Sequence, residues 1–232
     1  MSSQNNVLLV TIDSLRADYV YDDKADTPAH DALANEGRIY KQAFSQGPFT
    51  TFSMPSLFTS RYPSELQYVE FSESTVGVYI DDEPTLTSEF QNAGYDTAGF
   101  HSNPFVSRAY GFDRGFDVFD DDLHLGQHKL IALAQRALDK FRNRHYARAE
   151  EINESSLNWI DSLDDGESFF LWNHYMDTHG PYEPPGEYAT LYSDQGLSGR
   201  DAQSLYQRAI DDPESITEEE QQLLIDLYDA EI

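Results

Sequence analysis

Val7-Leu-Leu-Val-Thr-Ile12 is an unbroken apolar, β-branched run that stops at Asp13. A short run of this kind predicts a strand buried on both faces of a parallel sheet. Ser168-Phe-Phe-Leu-Trp-Asn173 repeats the pattern and stops at His174. Tyr95 to Phe100 reads as a third strand, and the stretch Leu86 to Ala93, closed by Gly94, as the helix before it. That helix–Gly–strand order is half of a parallel crossover. The expected architecture is therefore α/β, a mostly parallel sheet flanked by helices. In open sheets of this class, ligands gather just outside the carboxyl ends of the strands. Asp13 stands at such an end and is a candidate metal ligand. His101-Ser-Asn-Pro-Phe105 stands at another, and His174-Tyr-Met-Asp-Thr-His179 places two histidines and an aspartate within six residues at a third.

The rest of the chain fills in this outline. Thr27-Pro28 opens a helix that Gly37 stops, and Arg38 to Phe44 reads as a second short strand or an extended segment. Residues 64–84 are acidic and read as irregular surface. Tyr110 to Phe119 reads as a glycine- and aromatic-rich loop. Leu123 to Leu163 predicts two helices broken near Asn143 to Tyr146. Leu130, Leu133, Ala134, Ala137 and Leu138 lie on one apolar face, and Ile152, Leu157, Ile160 and Leu163 on the other. Pro184 to Gly199 reads as loop. Two further helices span Asp201 to Ile210 and Ile216 to the end, the second opened by a Thr217-Glu-Glu-Glu220 capping box. That last helix has no glycine stop and no basic final turn, so the chain reads as cut. One domain over 1–232, itself incomplete, is the expectation.

Charge narrows the function classes. Fifteen Lys and Arg against 42 Asp and Glu give −27, and only Lys24, Lys41, Lys129 and Lys140 are lysines. The acids are mixed with aromatic and apolar residues, which predicts a folded protein with an acidic, halophilic-type surface. Such a balance opposes a nucleic-acid interface. There is no cysteine, hence neither disulfide nor thiolate chemistry. No apolar run reaches the ~18 residues of a membrane span. Met1 to Asn6 carries no basic region, so a cytoplasmic location is expected.

The segment Gly47 to Pro63 carries the chemistry. Thr50, Thr51, Ser53 and Ser56 crowd seven positions of a loop expected to lead into a short helix. A hydroxyl there can be a nucleophile beside free backbone N–H groups, or simply an N-cap.

In order along the chain, four segments resemble the sulfatase family of the alkaline phosphatase superfamily. They are Asn6-Val-Leu-Leu-Val-Thr-Ile-Asp-Ser-Leu-Arg-Ala-Asp18, the Thr27–Gly37 helix, the Gly47–Pro63 segment and His174–Tyr182. The family signature is Cys or Ser, then x-Pro-Ser-Arg, then Thr-Gly-x-Tyr-Pro. Matching Ser53-Met-Pro-Ser56 locally makes Ser53 the nucleophile but leaves Thr59-Ser-Arg-Tyr-Pro63 three residues early. The ungapped register instead makes Thr50 the nucleophile and Ser53 the motif's serine, with Phe52 and Met54 in place of the motif's Pro and Arg.

The resemblance implies an alkaline-phosphatase-like fold and a metal-dependent hydrolase of sulfuric esters acting on an anionic substrate. It implies Thr50 as catalytic nucleophile and as a metal ligand with Asp13, and a divalent ion (Ca, Mg or Mn). His179 and Ser53 would bind substrate, and His174 would support His179 in catalysis. Ser14 stands where many sulfatases have a second acidic ligand. The family's further ligands come from a later Asp-His-Gly or Asp-Asn segment that this sequence does not contain. Oxidation to formylglycine requires Cys or Ser, so Thr50 is expected to act unmodified. Threonine nucleophiles occur in relatives that act on phosphoesters or transfer phosphoglycerol, which makes phosphoester chemistry the alternative. A non-catalytic fragment is a third reading.

Overall fold

The computed structural model describes residues 5–21, 24–72, 75–80, 83–121, 146–193, 197 and 199–232. The chain forms two compact units, Met1–Thr11 with Ala43–Met176, and Ile12–Gln42 with Asp177–Ile232.

The first unit is built on a four-stranded sheet in the order β1 (Val7–Ile12), β6 (Phe169–Tyr175), β4 (Asp96–Phe100), β5 (Val118–Asp120). Strand β4 is parallel to both β5 and β6, with Ala98 opposite Val118 on one side and Leu171 on the other. Helices α3 (Thr50–Thr59), α4 (Leu86–Asn92) and α5 (Ala149–Asp161) belong to the same unit. The mostly parallel α/β architecture read from the strand pattern is thus present. Strand β6 is buried along its centre on both faces. Strand β1 is not: Leu8, Val10 and Ile12 are 57%, 44% and 42% exposed. Successive side chains of a strand point to opposite faces, so the alternation means that described residues cover one face of β1 and not the other. The same unbroken apolar run that implied two covered faces therefore covers one.

The core is aromatic. Phe58, Phe112, Phe170 and Trp172 are at most 1% exposed and pack with Val78 and Ile80. Phe116 and Phe119 lie near-parallel to the Trp172 ring at 6.0 and 6.5 Å. Gly99 makes room for them, since a Cβ there would stand 3.1 Å from the Phe116 ring. The Tyr110–Phe119 segment is thus a supplier of core rings rather than only a loop. Residues 64–84 also differ from expectation. Gln67–Ser72 and Thr75–Tyr79 form an antiparallel hairpin, β2 and β3. Their β-branched and aromatic content is the strand signal that the acidic composition masked. Of the helices expected within Leu123–Leu163, the first, with Leu130, Leu133, Ala134, Ala137 and Leu138, lies outside the described residues. The second is α5, where Ile152 is 5% exposed but Leu157 is 60% exposed. At 100° per residue Leu157 points about 140° away from Ile152, off the buried face.

The second unit contains α1 (Ala17–Tyr21), α2 (Pro28–Glu36), α6 (Gly199–Asp211) and α7 (Glu218–Glu231). Thr27 precedes α2 and Pro28 opens it, although the threonine side chain makes no capping bond. Helix α7 starts with the capping box read from the sequence: Glu220 N–H donates to Thr217 Oγ1 and Thr217 N–H to Glu220 Oε2, at 3.2 and 3.0 Å. Tyrosine rings pack this unit. Tyr228 meets Tyr19 at 5.0 Å and Tyr182 at 5.4 Å, and Tyr182 meets Tyr206 at 5.4 Å, each edge to face. Burial pushes the Tyr182 phenol well above the ordinary tyrosine value. Among the described residues no helix is long and apolar enough to cross a membrane.

Candidate active site

Most of the Gly47–Pro63 segment is helix rather than loop, because α3 runs through it from Thr50 to Thr59 with Pro55 inside. Proline removes the backbone donor that would reach Thr51 O, and nearby hydroxyls fold back onto other carbonyls of the helix. Ser53, Ser56 and Thr59 each donate to the carbonyl four residues back, at 3.2, 2.9 and 2.7 Å. Thr51, Met54, Pro55 and Phe58 face the core. The N-cap is Phe49, whose side chain has no acceptor, so no side chain caps α3. Thr50 is the first helical residue and Ser53 lies one turn further on. The hydroxyls in this segment are therefore not spent on an N-cap, which was the plain structural account of them. The Ser53 proton is engaged with Phe49 O, leaving its oxygen as an acceptor.

Behind the carboxyl ends of β4 and β6 lies a chain of buried polar groups. Asn103 Oδ1 accepts from Phe105 N–H at 2.9 Å, which turns its Nδ2 toward His174 Nε2, 3.3 Å away. That nitrogen must then accept, so neutral His174 carries its proton on Nδ1 and donates to Thr11 Oγ1 at 2.8 Å. Thr11 Oγ1 also accepts from Trp172 Nε1, at 2.9 Å. His174 is 2% exposed and held through both ring nitrogens. Thr11 and Asn103 were not singled out by sequence reasoning. Polar residues on or just beyond a buried strand were the available signal.

His101 sits beside this chain, fully buried, its ring centroid 5.1 Å from those of Trp172 and Phe119. Its Nδ1 accepts from Asn103 N–H at 3.1 Å. The proton is therefore on Nε2, which has no partner among the described residues. Burial first, then the charges of His174 and Arg108, hold its pKa well below the ordinary 6.5. Folded His101 stays neutral while the unfolded histidine takes up a proton below pH 6.5, so stability is full above that value and falls below it. The expected loss is up to about 1.4 kcal/mol per pH unit. Urea midpoints at about pH 7.5 and 5.5 measure it, and His101→Gln should flatten the drop.

In the second unit, the turn after β1 is held at several points. Thr178 Oγ1 donates to Asp13 O at 2.5 Å. Tyr228 Oη donates to Ser14 O at 2.8 Å and accepts from Arg16 N–H at 2.9 Å. Ser14 has φ of 60°. This turn bears the Asp13 carboxylate, which accepts from Ser14 Oγ at 3.1 Å. Thr178 also tethers the neighbouring His179, half-buried, whose Nδ1 donates to Gly180 O at 2.8 Å and leaves Nε2 as the acceptor nitrogen. Thr50, Ser53 and His174 thus belong to the first unit, and Asp13 and His179 to the second. Among the described residues no group of three or more His, Cys, Asp or Glu is gathered that could hold a metal ion. Asp13 and the Thr50 hydroxyl are too short a donor set for a hard divalent ion, which takes six or more oxygen ligands. The described residues do not by themselves fit the implied cation.

The family model for sulfatases matches residues 5–229, a span that runs through both units. An arylsulfatase of Clostridium perfringens (strain 13 / Type A) is 24% identical over 228 residues, covering 83% of this chain and 47% of its own. Among solved structures, the phosphonate monoester hydrolase of Agrobacterium radiobacter superposes with a TM-score of 0.64 at 16% identity, over 98% of this chain and 56% of that one. A protein solved in complex with its substrate D-glucosamine-2-N,6-O-disulfate gives 0.60 at 16% identity, over 97% and 52%. The chain spans about half the length of these relatives. With the family model matching all but the first few and last few residues, the chain belongs to the sulfatase family.

Proposed function

We propose that this chain carries the nucleophile-bearing part of a sulfuric ester hydrolase, with Thr50 as the nucleophile. The observation that carries the reading is the family match across residues 5–229 together with Thr50 as the first residue of an uncapped helix. Thr50 Oγ attacks the sulfur of the ester and loses its proton. The bond from sulfur to the ester oxygen breaks, and the departing oxygen takes up a proton as the alcohol leaves. Water then releases sulfate and restores the hydroxyl. Backbone N–H groups at the start of α3 favour the negative charge that builds on the sulfate oxygens. His179 is assigned to the substrate's oxygens or leaving group, where it can deliver a proton through Nε2 once protonated. Asp13 is assigned to the divalent ion that sulfatases generally use.

Thr50 itself favours a second reading, hydrolysis or transfer of phosphoesters, since a phosphothreonine forms and hydrolyses by the same steps. Turnover of 4-nitrophenyl sulfate and 4-nitrophenyl phosphate by the complete gene product separates the two. Release of nitrophenol from the sulfate ester is the expected result. Release from the phosphate alone would replace the first reading with the second, and release from neither would reject both.

A further inference from the structure

His174 ties three strand ends together. Its Nδ1 donates to Thr11 Oγ1 on β1 at 2.8 Å, and its Nε2 accepts from Asn103 Nδ2, just beyond β4, at 3.3 Å. The same Asn103 Nδ2 reaches Met176 Sδ at 3.3 Å. One amide therefore holds both the carboxyl end of β6 and the residue just past it. Asn103 is itself fixed. It is 1% exposed, its N–H donates to His101 Nδ1 at 3.1 Å, and its Oδ1 accepts from Phe105 N–H at 2.9 Å as it caps the turn that starts at Pro104.

The segment that leaves β6 is anchored at every second residue. His174, Met176 and Thr178 are each 2% exposed, whereas Tyr175, Asp177 and His179 are half-buried. Asn103 holds the first two anchors, and Thr178 Oγ1 donates to Asp13 O at 2.5 Å. On β1 and the turn after it, these bonds fall on Thr11 and Asp13, two residues apart. His179 follows directly on the last anchor, and its Nδ1 donates to Gly180 O at 2.8 Å. That bond decides which ring nitrogen carries the proton.

Building on the ester hydrolase reading, we infer that Asn103 is a positioning residue for His179. Its amide donates to His174 Nε2, which keeps the His174 proton on Nδ1 and bound to Thr11. The run from His174 to Thr178 is then held in one register against the residues that lead to Asp13. His179 leaves the last anchor with its proton on Nδ1 and with Nε2 as the atom that acts on the ester oxygens. Asn103 acts through His174 and meets no reacting atom. An amide suits this place because it carries a donor and an acceptor in fixed positions.

Nitrogen-15 NMR of the histidine-labelled complete gene product at about pH 8 reads the tautomers directly. His174 should carry its proton on Nδ1 with Nε2 bare, and so should His179. Asn103→Asp keeps the side chain's size and the acceptor for Phe105 N–H but sets a carboxylate oxygen opposite His174 Nε2. The proton should move to His174 Nε2, and the His179 signals should shift toward the tautomer mixture of free histidine. Thr11→Val removes the other end of the strut and should shift the His179 signals in the same direction, whereas Thr11→Ser, which keeps the oxygen, should not. Aryl ester turnover by Asn103→Asp should fall about 10-fold in kcat with KM within about 2-fold, the pattern of a misplaced group rather than a lost binding contact. A proton on His174 Nε2 in the natural protein would overturn the inference. So would His179 signals and kcat unchanged in Asn103→Asp, or a variant altered only in its urea midpoint, which marks a merely structural bond. The tautomers are read without turnover, so failure of the natural protein to cleave either aryl ester rejects the ester hydrolase reading separately.

Discussion

Trp172→Ala should remove about 4 kcal/mol from the stability of the unit built on the four-stranded sheet. The side chain is 0% exposed and lies between two sets of partners. Phe58 meets it edge-on at 4.7 Å, and Phe116 and Phe119 lie near-parallel to it at 6.0 and 6.5 Å. His101 and His174 stand at 5.1 and 5.8 Å. Truncation leaves a cavity lined by rings that cannot close over it, and such changes cost about 3–5 kcal/mol. Total stabilities of about 5–15 kcal/mol make that a large share. It also strips Thr11 Oγ1 of the indole N–H. Trp172→Phe separates the two effects: the ring stack is mostly retained and the hydrogen bond lost, for about 1–2 kcal/mol. Urea unfolding followed by far-ultraviolet circular dichroism measures both, and a loss under about 1 kcal/mol for the alanine variant would mean that the aromatic stack is not the unit's core.

This core shows where sequence reasoning succeeds and where it stops. The Ser168–Asn173 run announced a buried strand because the pattern is local and the whole strand is covered. Val7–Ile12 carries the same signal, yet Leu8, Val10 and Ile12 are exposed on one face. A run of apolar residues reports what could be buried, and the neighbours decide what is. The hairpin β2–β3 was hidden because acidic residues dominate its surroundings and alternation over five or six residues is a weak signal. In the Gly47–Pro63 segment, prolines and hydroxyls suggested a loop leading into a short helix, and the helix is longer than that, because Thr51, Met54, Pro55 and Phe58 bury one of its faces while Ser53, Ser56 and Thr59 bond back onto its carbonyls. The candidate site was legible as residue types at strand ends: Asp13, His174 and His179. Its connections were not. His174 is paired to Asn103, 71 residues away, and to Thr11, 163 residues away, and no local pattern encodes partners at such separations.

Thr50→Ala in the complete gene product should lower turnover of the ester substrate by about 10³-fold or more, the usual scale for losing a covalent nucleophile. The variant should fold, because Phe49 and not Thr50 occupies the N-cap, so no cap is lost and a change within about 0.5 kcal/mol is expected. Thr50→Ser keeps the hydroxyl and should remain within about 10-fold of the natural enzyme, since only a methyl group is lost and the serine oxygen can reach the same position. Ser53 provides the contrast. It lies one helical turn away, its proton engaged with Phe49 O at 3.2 Å, and in the ungapped register it is a neighbour that binds rather than attacks. Ser53→Ala should therefore cost only a few-fold, mostly in KM, as expected for a contact made equally in the ground state and the transition state. The two alanine variants decide between the registers that the sequence allows. A large loss in Ser53→Ala with Thr50→Ala active would move the nucleophile to Ser53 and with it the alignment of the whole segment. A large loss in Thr50→Ala that Thr50→Ser restores fixes the attacking oxygen at the first residue of α3.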